Sequence, residues 1–316
     1  MTPPSSPPGI GINILSPRLA DRTPEDRRAV LRSIGEAGID HIHIGDHVSF
    51  RNGTGWDGLI SAAMHLHLQD LVPVHLGVYQ PVLRHPVLVA RELSTLMELV
   101  PGRLVLGVGV GGDDPAEVRM CGVNPKTRGR RMDEHLPILR ALLAGERVTH
   151  EGEFFQLDDV FIGPPPDPAI PILIGGRSDK AIQRTGRLGE GWQGIWVSAD
   201  RFAQTIEQVE QAGADAGRGD VAWRHQMIIW CGLGKDKAAI RESVAHEMKS
   251  IYGIDYEKFE KWSPAGTPDD LAEFVAPYVE RGCQDISLIA HGEGLEETIE
   301  SVATVKRLLA GVAVAR

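Results

Sequence analysis

Cysteine is scarce: the 316 residues hold three, Cys121, Cys231 and Cys283, far apart and with no C-x-x-C pair. Any pairing leaves one over, so no disulfide framework follows and all three read as reduced structural thiols. Long apolar runs are missing too, since none approaches the roughly 18 to 20 residues of a membrane span, and a membrane is not an expected partner. Bases are in deficit, with 33 Lys and Arg against 43 Asp and Glu and a net charge of −10. A nonspecific grip on a phosphate backbone needs clustered Lys and Arg, so nucleic acid is not an expected partner either. The opening MTPPSSPPG has neither the basic nor the apolar segment of a secretory signal. Residues 1–8 are therefore expected to be a disordered leader of a cytoplasmic protein, and residues 9–316 to fold as one domain. With 42% hydrophobic and 24% charged residues, the composition is that of an ordinary globule, not of a collagen, a coiled coil or a disordered segment.

What is present is alternation. Apolar, β-branched runs recur, each followed by a stretch of helical period. Gly9–Leu15 precedes Thr23–Ala37, Ile39–Gly45 precedes Asp57–Leu68, Val74–Tyr79 precedes Pro86–Val100, and Arg103–Gly109 precedes a long helix over Thr127–Ala144. After an interruption come Ile172–Gly175 with Ser178–Leu188, Trp192–Val197 with Asp200–Ala216, Trp223–Gly232 with Lys235–Tyr252, and Asp285–Ala290 with Leu295–Leu309. Strands apolar on both faces and joined by helices imply parallel pairing, and eight such units close into a (β/α)8 TIM barrel. A doubly wound open sheet is the architectural alternative, and both place a site at the carboxyl ends of the strands. Residues 145–171 break the rhythm with short β-like runs and a Pro-rich exit, which predicts an inserted hairpin after the fourth β/α unit.

The strand ends carry the candidates for chemistry. The second strand ends His41-Ile42-His43-Ile44-Gly45-Asp46-His47, whose period of two puts His41 and His43 on one face. A His-x-His pair can chelate a divalent ion, with His75 and His291 as further ligands for a metal-dependent hydrolase. No carboxylate ligand stands out, so packed interior histidines are the reading adopted and no metal is expected. Asp46 and His47 lie at the exit, where an imidazole suits proton transfer near neutral pH. The fourth strand ends in Gly107-Val108-Gly109-Val110-Gly111-Gly112, which admits a ligand close to the backbone. That spacing is not the dinucleotide fingerprint G-x-G-x-x-G, so a Rossmann-type site is not expected. Ile174-Gly175-Gly176-Arg177-Ser178 is a strand, two glycines and a helix start, where free N–H groups form a phosphate cradle.

Four stretches carry a resemblance: Arg84-His85-Pro86-Val87, Pro101-Gly102-Arg103 running on to Gly111, Arg128-Gly129-Arg130-Arg131-Met132-Asp133-Glu134, and Ile172–Arg177 followed by Arg187-Leu188-Gly189-Glu190-Gly191-Trp192. Together they resemble the bacterial luciferase-like monooxygenase superfamily of TIM-barrel flavin and deazaflavin oxidoreductases, in order from about residue 10 to residue 290. Gly45-Asp46-His47 is similar to the Asp-His pair of its F420-dependent branch. The resemblance implies an F420-dependent oxidoreductase moving hydride between deazaflavin C5 and a small organic substrate, with His47 facing C5 as the catalytic residue. The alternative is an FMN-dependent monooxygenase that uses O2 and a separate reductase.

For the cofactor, the resemblance implies that Asp46 hydrogen-bonds it and that a bulge at Gly77, Val78 and Tyr79 with a nonprolyl cis peptide backs the ring. Val110 and Gly111 would line it, with Gly175, Gly176, Arg177 and Ser178 on its phosphate and Arg128, Arg130 and Arg131 toward its acidic tail. Dimers are common among relatives, so a homodimer is admitted. The sugar-phosphate dehydrogenases of the branch have Glu where Gly112 stands and an aromatic where Arg51 stands, so a glucose-6-phosphate activity is not expected.

Overall fold

The computed structural model describes residues 7–14, 17–51, 53–111, 114–253 and 255–314. Residues 1–6 of the expected leader, and Gly112, lie outside the described residues. The chain runs β1 (Gly9–Asn13), α1 (Pro17–Ala20), α2 (Pro24–Glu36), β2 (His41–Ile44), β3 (His47–Phe50), β4 (Thr54–Trp56), α3 (Gly58–Leu68), β5 (Val74–Tyr79), α4 (Pro86–Leu99) and β6 (Leu104–Val108). It continues with α5 (Pro115–Met120), α6 (Arg128–Leu143), β7 (Val148–Glu151), β8 (Gln156–Val160), β9 (Ile172–Gly175), α7 (Asp179–Leu188), β10 (Gly191–Ile195) and α8 (Ala199–Asp215). Last come β11 (Gln226–Leu233), α9 (Lys237–Tyr252), β12 (Ala265–Gly266), α10 (Pro268–Glu280), β13 (Asp285–His291) and α11 (Leu295–Val314).

Parallel pairing links β10, β9, β6, β5, β2, β1, β13 and β11 in that order, and β10 pairs with β11 to close the ring. The expected TIM barrel is therefore the observed fold, and the open sheet is excluded. Burial on both faces explains the parallel ladder: every residue of β2, β6 and β11 is buried. Helix α2 shows how the covering layer is written locally. Thr23 caps it by accepting from the Asp26 N–H, Pro24 opens it, and Val30, Leu31 and Ile34 turn one stripe inward.

The barrel interior is polar. His41 Nε2 lies 2.8 Å from Ser287 Oγ, Gln226 donates to Ser287 Oγ at 2.7 Å and approaches His75 Nδ1 at 3.2 Å, and the His41 and His75 rings stack at 3.8 Å. Burial pushes His41 down to about 4 and His43 to about 3, so both are neutral rings.

Within 145–171, β7 and β8 pair antiparallel, and Glu134 of α6 accepts from the Phe154 and Phe155 N–H groups between them. Elements that the alternation does not anticipate are the β3–β4 hairpin, the short α1 and α5, β12 and α10. All three cysteines are free thiols, with Cys231 and Cys283 buried. Among the described residues no helix is long and apolar enough to cross a membrane.

Candidate active site

Beyond Ile44 the chain leaves the barrel wall through Gly45, Asp46 and His47. The Asp46 side chain is fully buried. Its Oδ1 accepts from the Gly58 N–H and from Arg84 Nη2, both at 2.9 Å, and its Oδ2 accepts from the Gln80 N–H at 2.9 Å and Arg84 Nη1 at 2.8 Å. A carboxylate offers about four lone-pair sites, and all are used within the protein. Burial works against the Arg84 guanidinium, but the Asp46 charge and its hydrogen bonds outweigh it and raise Arg84 above its ordinary value. Arg84 also lies 4.4 Å over the Tyr79 ring. Tyr79 is completely buried and does not line the cavity described below.

His47 opens β3 and its side chain is about a quarter exposed, with Nδ1 3.1 Å from Glu117 Oε2. Glu117 sits on α5, is 1% exposed, and accepts from the Val48 N–H at 2.7 Å and the Ser49 N–H at 3.1 Å. Burial alone would raise its carboxyl; the His47 hydrogen bond and charge, with the two N–H groups, hold it below the usual carboxylate range. An ionised Glu117 accepts a hydrogen bond from the Nδ1–H of His47, which fixes the tautomer and leaves Nε2 as the ring's other proton site. Phe50 packs on the imidazole at 4.3 Å and Trp56 meets it edge-on at 5.9 Å. Sequence reasoning missed Glu117, which stands 70 positions from its partner in a six-residue helix.

These groups edge a cavity of about 230 Å³ whose lining includes Asp46, His47, Gly77, Val78, Val110, Gly111, Gly175 and Gly176. One wall is a bulge: the β5–β6 register shifts between Leu76 and Tyr79, and the Gly77–Val78 peptide is cis. Gly107 makes room for it, because a Cβ there would stand 2.1 Å from the Leu76 carbonyl oxygen. Gln193, another lining residue, donates to that carbonyl at 3.2 Å and to Gln226 Oε1 at 2.6 Å, while its own Oε1 is buried with no partner.

At the β9 exit, Gly176 has φ +123, a left-handed conformation natural to glycine, and its carbonyl accepts from Trp192 Nε1 at 2.7 Å. Ser178 caps α7 through the Ala181 N–H. Arg177 and Ser178 are exposed at this helix start, outside the cavity lining. Arg130 pairs with Glu153 and Arg131 donates to the Val82 carbonyl, whereas Arg128 keeps Nη1 buried with no partner.

For a metal, the described residues group His41, His75 and Asp285, not His41, His43 and His291, with ligand atoms within 4.8 Å of one another. That donor set suits an ion poorly. Asp285 is already gripped by two nitrogens of Arg224, and the two rings lie face to face. His291 stacks on Trp230 and meets Arg18 instead.

The family profile described as luciferase-like monooxygenase matches residues 11–273. This chain belongs to that family. Within it, the chain is 32% identical to the F420-dependent glucose-6-phosphate dehydrogenase of Beutenbergia cavernae, over 82% of this chain and 85% of that one. It spans about half the length of an uncharacterised protein of Mycobacterium tuberculosis, 34% identical over 136 residues, which is 43% of this chain and 46% of the other. Among solved structures, this luciferase-like barrel superposes on an F420-dependent secondary alcohol dehydrogenase holding an F420–acetone adduct. The TM-score is 0.82 at 19% identity, over 96% of this chain and 99% of that one.

Proposed function

We propose that the protein is an F420-dependent oxidoreductase that moves hydride between the deazaflavin and a small organic substrate, with His47 handling the proton. The observation that carries this reading is the glycine-walled cavity with the His47–Glu117 pair at its edge. At about 10 to 15 Å³ per water-sized position, its roughly 230 Å³ takes about eighteen heavy atoms, the scale of three fused six-membered rings with their oxygens. The orphaned Gln193 Oε1 is an acceptor for a ring N–H. When bound, the deazaflavin supplies a two-electron hydride carrier that reacts poorly with O2.

The chain's own residues do the rest. Val78, Val110 and Gly111 bound the ring, while Gly175 and Gly176 keep Cβ atoms out of its way. N–H groups at the start of α7, with Arg177 and Ser178, reach the phosphate from outside the cavity. Asp46 acts through position: it ties the β2 exit to Arg84 and to the start of α3, which holds His47 at the rim. A homodimer, cytoplasmic placement and freedom from nucleic acid belong to the same proposal, and light scattering of the purified protein tests the first.

Titrating apoprotein with F420 and with FMN decides the cofactor. Micromolar binding of F420 is expected; binding of FMN and none of F420 would place the protein among the O2-using flavin members. Loss of a proton-transfer group costs about 10² to 10⁴ in rate. His47→Ala is expected to lose turnover on that scale with cofactor affinity preserved, and unchanged turnover removes His47 from the mechanism.

A further inference from the structure

Beside the cofactor cavity, and sharing Gly45, His47, Gly77 and Tyr252 with it, lies a smaller cavity of about 80 Å³. It extends between β1, β2, β11 and β13 and is closed by Trp56, Trp230, Ile251 and Ile289. At about 10 to 15 Å³ per water-sized position it holds about six heavy atoms. No Lys, Arg, Asp or Glu is among the described residues lining it. Its polar members are Asn13, whose amide donates to the His43 carbonyl at 3.1 Å, the neutral His43, and His47. Trp230 is 3% exposed, its ring lies parallel to His291 at 5.2 Å, and its indole N–H is buried with no acceptor. A buried donor left without an acceptor is unfavourable, and an oxygen of a bound molecule would satisfy it.

Resting on the cofactor reading above, we propose that this cavity is the substrate site and that it selects an uncharged alcohol or carbonyl compound of about six heavy atoms, with Trp230 setting the size limit. Oxidation breaks the carbinol C–H and O–H bonds. The bound deazaflavin would take the hydride and His47 Nε2 the proton, leaving C=O; in reduction His47 would return the proton and the reduced cofactor the hydride. A sugar phosphate is more than twice too large, and its dianion would enter a space lined by no Lys or Arg, losing its hydration without a partner. The competing outcome has its own address. A groove of about 590 Å³ on the far side of Trp196 carries Arg201, Lys261 and Glu273, and an anionic substrate would reach toward it.

Two measurements test this. Crystals of the apoprotein soaked in cyclopentanone read the cavity without any cofactor: density against Trp230 supports the proposal, and an empty cavity overturns it even if F420 binds. With F420 bound, kcat/KM is measured for 2-propanol, 2-butanol, cyclopentanol, cyclododecanol and glucose 6-phosphate, and in reverse for the matching ketones with the reduced cofactor. The expected optimum is four to six heavy atoms, with cyclododecanol and glucose 6-phosphate at least about a hundredfold lower. Trp230→Ala should move the optimum to larger rings, Ile289→Phe to smaller ones, and Trp230→Phe should keep the size profile while raising KM about tenfold, all with unchanged F420 affinity. Preference for glucose 6-phosphate, or a size profile that neither Trp230→Ala nor Ile289→Phe moves, overturns it. Failure to bind F420 counts against the cofactor reading alone, because the soak still reports on the cavity.

Discussion

At the residue scale, two buried carboxylates near the rim do different work, and their partners show which is which. Glu117 touches His47 and no described residue offers it a full cation, so its charge is held by one imidazole and two backbone N–H groups. Glu117→Gln keeps the shape, but the Val48 and Ser49 N–H groups hold its one amide oxygen, so an NH2 group faces Nδ1 where the carboxylate accepted and no longer fixes the tautomer. Its kcat is expected to fall at least about tenfold with cofactor affinity unchanged, and the downfield Nδ1 proton resonance of His47 should vanish from the NMR spectrum. A surviving resonance would show that Glu117 does not position the ring. Asp46 is bound four times over and acts on structure. Asp46→Asn leaves the Arg84 guanidinium, 17% exposed, facing an amide in a buried pocket. Breaking a buried pair costs about 3 to 5 kcal/mol; with Arg84 partly solvated, about 2 to 4 kcal/mol is expected in urea unfolding. A loss below 1 kcal/mol would mean that Arg84 finds Asp57 sufficient.

At the element scale, β2 and β5 carry a hidden pH dependence. Their interior histidines, His41, His43 and His75, are all shifted downward first by burial; His43 and His75 are pushed further by His41, whereas for His41 the Asp285 charge opposes the shift and Arg224 adds to it. The folded protein therefore holds them neutral, while the unfolded chain binds protons as pH falls below about 6.5. Stability is full above that value and declines as pH drops, for His41 until about 4, where the folded state takes up its own proton. Each contributes about 1.4 kcal/mol per pH unit, so about 4 kcal/mol per unit in sum. Urea midpoints at pH 7 and pH 5 check the slope, and equal midpoints would mean that the rings are protonated in the fold. The barrel was legible because its strands are apolar on both faces and recur at helix-spaced intervals. What stayed hidden had no such period. The β3–β4 hairpin is half exposed and only seven positions long in its strands, and α5 is too short to show a stripe. Glu117 meets His47 only through tertiary packing. Helix α10 carries a local signal, with Thr267 and Asp270 forming a capping box ahead of buried Leu271, Val275 and Val279, but the strand–helix alternation does not contain it because its strand partner β12 has just two residues. Among the site residues, glycines at strand ends located the cavity, whereas the inward turn of Tyr79 and the saturation of Asp46 depend on Arg84, which no local pattern reveals.

At the scale of the whole molecule, the cavity draws on the exits of β2, β5, β6 and β9, on β10 through Gln193 and Ile195 and on β11 through Ile228, so its walls come from six of the eight barrel strands. The ring closes through the β10–β11 pairing, in register from Gln193↔Gln226 to Ile195↔Ile228, and Gln193 and Ile228 both line the cavity. A bound tricycle therefore bridges the seam of the barrel, and only the folded chain presents that set of walls. Binding to the folded state alone stabilises by about 2.7 kcal/mol at a hundredfold excess over Kd. For a chain of this size a kcal/mol moves the melting midpoint by about 2 °C, so saturating F420 should raise it by about 5 °C. The same scan with FMN separates the two branches of the family: a rise with FMN and none with F420 would leave the barrel and its proton-handling pair intact but make O2, and not an organic substrate, the partner of the reduced ring.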